Sequence, residues 1–158
     1  MECSFGSQTF AFREGKKFII NTDDYEKYVK GYSFKLSVAG YVQYSSSKDG
    51  LHNKYLHRVI LGQPNGKDVD HINRNPLDNR RENLRICTHQ QNQFNKTKRS
   101  DNTSGYKGVY FHKQKQKFRA QIVVDGKNKH LGLFDTAERA HEEYKKAALK
   151  LHGEFARF

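Results

Sequence analysis

The sequence predicts an α+β chain made of small units: an N-terminal β-rich segment, a central ββα hairpin, and a C-terminal three-stranded antiparallel sheet packed on one helix. Three observations lead there. The 158 residues suit one ordinary domain or two small ones, not one large core. The run "KTKRSDNTS", residues 96–104, contains no apolar residue and reads as a solvated linker. Strand-length apolar runs bounded by turn formers recur on both sides of it, and a sustained helical repeat occurs only near the end. The expected divisions are therefore 1–56, 57–95, the linker 96–104, and 105–158.

In the first segment "KKFII" is strand-like, and "FKLSVAGYVQYS" has the form of a hairpin turning at Ala39-Gly40. Tyr25, Tyr28, Tyr32, Tyr41, Tyr44 and Tyr55 could stack on bases. The reading we favour is that they form the amphipathic core of a subdomain poor in aliphatic residues. In the second segment Pro64-Asn65-Gly66 makes the entering turn. It is followed by strand "KDVDHI", loop "NRNPLDNRREN", strand "LRICT", and helix "HQQNQFN" with Thr88 as N-cap. His71 ends the first of these strands, Asn83 stands twelve positions on, and Asn92 nine beyond that on the helix. This spacing converges three polar groups on one point.

The last segment offers strands "YKGVYFHK", "KFRAQIVVD" and "KHLGLF" with turns at "QKQ" and "GKN". Alternation places Val109, Phe111, Phe118, Ala120, Ile122 and Val124 on a core face, and Tyr110, His112, Arg119, Gln121 and Val123 on a wet one. Asp135 and Glu138 resemble a capping box. Ala137, Ala140, Tyr144, Ala147, Ala148 and Leu151 then recur at helical spacing until Gly153.

Charge narrows the partner. Lys and Arg number 29 against 17 Asp and Glu, a formal +12, which favours nucleic acid. Residues 96–158 hold fifteen of the cations and seven of the anions. No apolar run nears the ~20 residues that span a bilayer, and "MECSFGSQTF" lacks the basic-then-apolar order of a signal peptide. A membrane is thus not the expected partner, and a soluble, intracellular, cytoplasmic protein is expected. Cys3 and Cys87 are too few for a disulfide framework or a zinc site and read as reduced thiols.

With these motifs in hand, Leu56 to Asn95, including the lead-in "LHRVILG", resembles the His-Asn-His (HNH) nuclease motif of the ββα-metal superfamily, found in phage and mobile-intron homing endonucleases. The resemblance implies His71 as general base, and Asp70 and Asn92 as ligands of one divalent ion, Mg2+ or Mn2+. Asn83 would pin the loop that holds His71, and His89 would stand where the family places a phosphate contact. The motif ends in Asn where other members carry His, which points to a hard-ion site. "SGYKGVYF", "LGLFDTAERA" and "YKKAALKLHG" resemble the plant ethylene-response-factor-type DNA-binding domain, which also occurs in HNH nucleases of phages and bacteria. There the exposed sheet face lies in the major groove. The matching positions are Lys107, Gly108, Tyr110, His112, Arg119, Gln121, Val123, Asn128 and His130. The plant proteins carry several Arg and Trp where this chain has Tyr110, His112, Val123, Asn128 and His130, so base preference does not carry over.

The chemistry asks for these residue types. Phosphodiester hydrolysis needs an activated water, which a neutral imidazole supplies, and stabilisation of the added negative charge, which a cation on oxygen ligands supplies. Arg74, Arg80, Arg81 and Arg85 flank the site and are expected to grip phosphate, as are Lys115 and Lys117 at the turn of the sheet. Double-stranded DNA is preferred over RNA, whose deep, narrow major groove would not admit the sheet. The expectation is a homing-type endonuclease acting as monomer or weak dimer. The alternative is a non-catalytic DNA-binding regulator retaining the nuclease fold.

Overall fold

The computed structural model describes residues 7–11, 17–98 and 100–158; Cys3 and the segment "MECSFG" lie outside them. Compactness divides the chain into two units, Met1–Thr88 and His89–Phe158. The helix expected to close the ββα hairpin is therefore grouped with the C-terminal unit, and the division falls before the polar run at 96–104.

In the first unit, strand β1 (Ser7–Ala11) pairs antiparallel with β2 (Lys17–Asn21), and helix α1 (Thr22–Tyr28) follows directly. Strands β3 (Phe34–Leu36) and β4 (Val42–Tyr44) form the expected hairpin, with Gly40 N donating to Ser37 O in the turn. Helix α2 (Leu56–Ile60) leads to the hairpin β5 (Asp68–His71) and β6 (Leu84–Cys87), in which Asp70 stands opposite Arg85 and His71 opposite Leu84. The core joins Ile20, Val42, Tyr44, Leu56, Ile60, Val69 and Leu84. Tyr44 is fully buried and satisfied, its hydroxyl donating to Tyr28 O at 2.6 Å. The rings of Phe34 and Tyr32 pack on it at 4.7 and 5.4 Å. Tyr25, Tyr28 and Tyr32 lie against the same cluster, so these tyrosines pack into the core. Neither α1 nor α2 was expected. Each is about two turns or less, too short to show a period or to persist without tertiary packing; α2 is held by burial of Leu56, Val59 and Ile60.

The second unit begins with helix α3 (His89–Asn95). A three-stranded antiparallel sheet follows, ordered β7 (Val109–His112), β8 (Lys117–Val124) and β9 (Lys127–Phe134), with helix α4 (Ala137–His152) across it. The second turn is Asp125-Gly126, with φ of 50° and 74°, and Lys127 and Asn128 already belong to β9. Two adjacent left-handed residues give the tight turn whose twist suits a hairpin. The cap of α4 is Thr136, whose Oγ1 accepts from Arg139 N at 3.3 Å, one residue later than the expected Asp135. The small residues Ala137, Ala140 and Ala148 are buried with Tyr144, but the last inward position is His152, and Leu151 is 39% exposed. Phe111 departs from the alternation: it is 42% exposed, edge-on to Phe118, beside the strand end. No helix among the described residues is long and apolar enough to cross a membrane. Cys87 is a buried free thiol whose pKa burial pushes up to about 11.

Candidate active site and DNA-binding face

The hairpin ends on two buried polar side chains, Asp70 and His71. The loop that follows is rich in asparagine because its backbone has no ladder to satisfy it. Asn73 Oδ1 accepts from Asn75 N at 2.8 Å and Asn75 Oδ1 from Leu77 N at 3.1 Å, successive side-chain-to-backbone turns. Asn83 closes the loop from its far end. Its Oδ1 accepts from Asn73 N at 2.9 Å, its Nδ2 donates to Asp78 O at 2.7 Å, and its backbone O accepts from Ile72 N at 2.8 Å. His71 Nε2 lies 3.5 Å from Asn79 Oδ1, a long contact in which an Nε2 proton would face the amide oxygen. Burial lowers the His71 pKa from its ordinary value, against a smaller upward pull from Asn79 and from the Asp70 and Asp78 carboxylates. The imidazole is thus neutral at pH 7.

The N-terminal elements hold this loop from outside. Ile19 N donates to Leu77 O and Asn79 N to Ile19 O, each at 2.8 Å, making a parallel bridge between β2 and the loop. Asn21 Oδ1 accepts from Arg81 N at 2.8 Å, and its Nδ2 donates to Glu82 Oε2 at 3.2 Å. Asp24, buried, takes both Nε and a terminal nitrogen of Arg81, at 2.8 and 2.6 Å. Behind His71 lies a second histidine, His57, buried in α2. The two ring centroids are 4.9 Å apart, and Tyr41 covers both at 5.1 and 5.8 Å. None of Asn21, Asp24, His57 or Asp78 was singled out from the sequence; Tyr41 was read only as a core or base-stacking tyrosine, and Asn79 only as a loop former or backbone contact. The readable signal for His57 was a histidine inside the apolar run "LHRVIL"; Asn21 and Asp24 carried none, since their partners lie about 60 residues along the chain.

Three of the flanking arginines have intramolecular partners. Arg80 forks onto Asp78 at 2.8 and 2.7 Å and holds that carboxyl below the usual range; Arg81 is spent on Asp24. Arg85 donates Nε and a terminal nitrogen to Asp70 Oδ2 at 2.9 and 2.8 Å. Arg74 sits at the exposed loop tip with φ of 64°.

In the second unit, His89 and Asn92 lie on α3. His89 is exposed and its Nε2 is 3.0 Å from Gln93 Nε2. On the sheet, Tyr110 stands opposite Arg119, Gln121 opposite His130, and Val123 opposite Asn128. A bulge between Ala120 and Gln121 inserts Leu131 on β9 and keeps His130 level with Gln121. His112 is half-buried, and Lys115, Asn128 and His130 are exposed. Lys117 pairs at 3.0 Å with Asp135 across an exposed surface. Two positions have a packing reason independent of DNA. Gly108, at φ +74°, leaves no room for a Cβ, which would fall 2.3 Å from the Tyr144 ring. Lys107 Nζ donates to Phe94 O at 2.6 Å.

The first unit thus carries a buried Asp-His pair at the end of a ββ hairpin, and the second a basic sheet with a helix across it. Residues 54–94 match the HNH endonuclease family and residues 104–154 the AP2 domain family. An uncharacterized HNH endonuclease, L560, of Acanthamoeba polyphaga mimivirus is 35% identical over 153 residues, 96% of this chain and 75% of the relative. Protein 3.8 of Escherichia phage T7 is 35% identical over 95 residues, 60% of this chain and 78% of the relative. No solved structure matches significantly. The chain belongs to the HNH endonuclease family and carries an AP2 DNA-binding domain.

Proposed function

We propose that this nuclease is a homing-type, metal-dependent endonuclease of double-stranded DNA in which His71 is the general base and one divalent ion, Mg2+ or Mn2+, is held by Asp70 and Asn92. The observation that carries the reading is the pairing of Asp70 with His71 at the end of β5, on a loop fixed by both ends of the Asn83 amide. With the proton on Nε2, the lone pair of His71 lies on Nδ1, the atom that would take a proton from water. Asn79 would orient that ring from its Nε2 side, and Asn83 would fix the loop beside it.

The donor set fits a hard cation: a carboxylate and an amide oxygen. Among the described residues no group of three or more His, Cys, Asp or Glu stands together as a metal cage, so water and DNA phosphate would complete the shell. Arg85, on Asp70 Oδ2, would share that carboxylate with the ion. When bound, the cation stabilises charge on the phosphate and leaving oxygen. His89, Arg74, Arg80, Arg81 and Arg85 would meet phosphate, the last three only by sharing or leaving their carboxylates. Base reading would fall to Tyr110, His112, Arg119, Gln121, Asn128 and His130 on the sheet, with Lys107, Gly108, Lys115 and Lys117 along the backbone.

The test is plasmid cleavage with Mg2+ or Mn2+ by wild type, His71→Ala, Asp70→Ala and Asn92→Ala, with duplex binding measured beside it. His71→Ala is expected to lose cutting at least 10²-fold and keep affinity. Cutting at the wild-type rate by His71→Ala sinks the assignment of the base, and loss independent of cation concentration in the other two sinks the metal site.

A further inference from the structure

The helix that carries Asn92 is built into the DNA-binding unit. Phe94 lies flat on the ring of His152 at the end of α4, centroids 3.6 Å apart and planes at 8°. His152 is itself fixed, donating Nε2 to Val123 O at 2.9 Å on β8. Lys107, at the start of the sheet, donates Nζ to Phe94 O at 2.6 Å, placing a cation at the C-terminal end of α3, where helix carbonyls lack partners. Asn95 is buried, and its Oδ1 accepts Arg157 Nε at 2.7 Å from the end of the chain. One stack and two charge-assisted bonds, from three separated segments, thus converge on the last two residues of a seven-residue helix. A helix that short has no stability of its own.

A groove of about 700 Å3 adds a second observation: His89, Gln90 and Gln93 of α3 line it together with Tyr110, Gln121 and Asn128 of the sheet. A duplex seated on the sheet would therefore lie against α3.

We propose that Phe94, Lys107, His152 and Arg157 form a socket through which the DNA-binding unit positions Asn92, so that addressing and cutting are mechanically joined. The proposal rests on the reading of Asn92 as a ligand. Phe94, His152 and Arg157 are positioning residues that touch neither phosphate nor ion and act by fixing the axis and end of α3; Lys107 does the same through Phe94 O from its place beside the DNA backbone.

The experiment uses the full chain carrying Arg157→Met, Lys107→Met, Lys107→Arg or Phe94→Leu, each checked for wild-type melting of the main transition. Single-turnover cleavage at saturating enzyme is followed as a function of Mn2+, with duplex affinity measured in Ca2+. The expected result is at least a tenfold slower rate for Arg157→Met and Lys107→Met. Their affinity should fall less than the rate, and half-maximal Mn2+ should rise several-fold, with most activity restored in Lys107→Arg. A rate within twofold of wild type, a loss residing wholly in affinity, or an unchanged Mn2+ requirement overturns the proposal. Amide exchange of residues 92–95 separates this from a failure of the ligand reading. If Asn92→Ala cuts normally, the ligand role is gone, and the socket stands only if exchange there still accelerates in Arg157→Met. Should Phe94→Leu fail to fold, the two methionine variants decide.

Discussion

His57 stands edge-on against His71, ring centroids 4.9 Å apart and planes at 64°. Two imidazoles this close within a core cannot both carry charge, and burial pushes the His57 pKa down to about 3, with His71 shifted the same way. Above the unfolded value of ~6.5 neither the native nor the unfolded chain is protonated at these positions, so their contribution is fully present. Below it the unfolded chain takes up protons that the native one refuses, and stability falls as the pH drops from ~6.5 toward 3. The slope is at most ~1.4 kcal/mol per pH unit for each histidine. Denaturant melts between pH 7.5 and 5 should show this loss, and His57→Leu should flatten it. A flat wild-type profile would contradict the buried pair.

Asn83→Ala removes the acceptor for Asn73 N and the donor for Asp78 O in a buried setting. We expect a cost of ~1–3 kcal/mol and slower cutting through a loosened loop, with Asn83→Asp intermediate. Wild-type stability together with a wild-type rate would reduce Asn83 to a bystander.

Arg81→Ala leaves the Asp24 carboxylate, only 4% exposed, without its fork. Because Arg81 itself is half exposed, the expected loss is ~1–3 kcal/mol, below that of a fully buried pair. The double change Asp24→Ala with Arg81→Ala should recover part of it. If the double variant is as unstable as the sum, the two side chains do not act as a pair.

Gly108→Ala forces a methyl onto the Tyr144 ring and Gln121 O at a left-handed backbone position. The C-terminal unit should lose about 2–4 kcal/mol, and duplex binding should fall with the folded fraction. Calorimetry that shows an unshifted transition would remove the packing account of this glycine.

On the reading face, Arg119→Ala and Gln121→Ala should relax sequence preference by ~1–3 kcal/mol per lost bidentate contact, whereas Lys115→Ala should weaken all duplexes alike. Binding to a mapped target and to random duplex, at several salt concentrations, distinguishes the two behaviours.

The β3–β4 and β5–β6 hairpins and the C-terminal sheet were legible because their periods and turn residues are local: "AG" at 39–40 and the alternation through 117–124 need no distant partner. The placing of Asp70 and His71 at a strand end, with Asn83 across the loop, was legible, since spacing along one hairpin survives in the sequence. What the sequence did not disclose depends on distant chain: the Ile19 bridge to the loop, the Asp24–Arg81 pair, and the packing of His57 beneath His71. The division before His89 was hidden for a related reason. The polar run at 96–104 looks like a boundary, but Phe94 and Asn95 are bound by residues on its far side. Asn102 even ties that run down, donating to Tyr106 O and Val109 O.

The bridge from Ile19 to Leu77 and Asn79 bears on how such enzymes are inherited. The stretch recognisable as nuclease, 54–94, borrows an edge from β2 and a counter-charge from α1, so it is not a cassette that recombination can lift out whole. A transplant that takes the motif and leaves residues 17–28 behind carries the catalytic letters without the clamp that spells them, and viable exchanges should have crossover points upstream of Lys17.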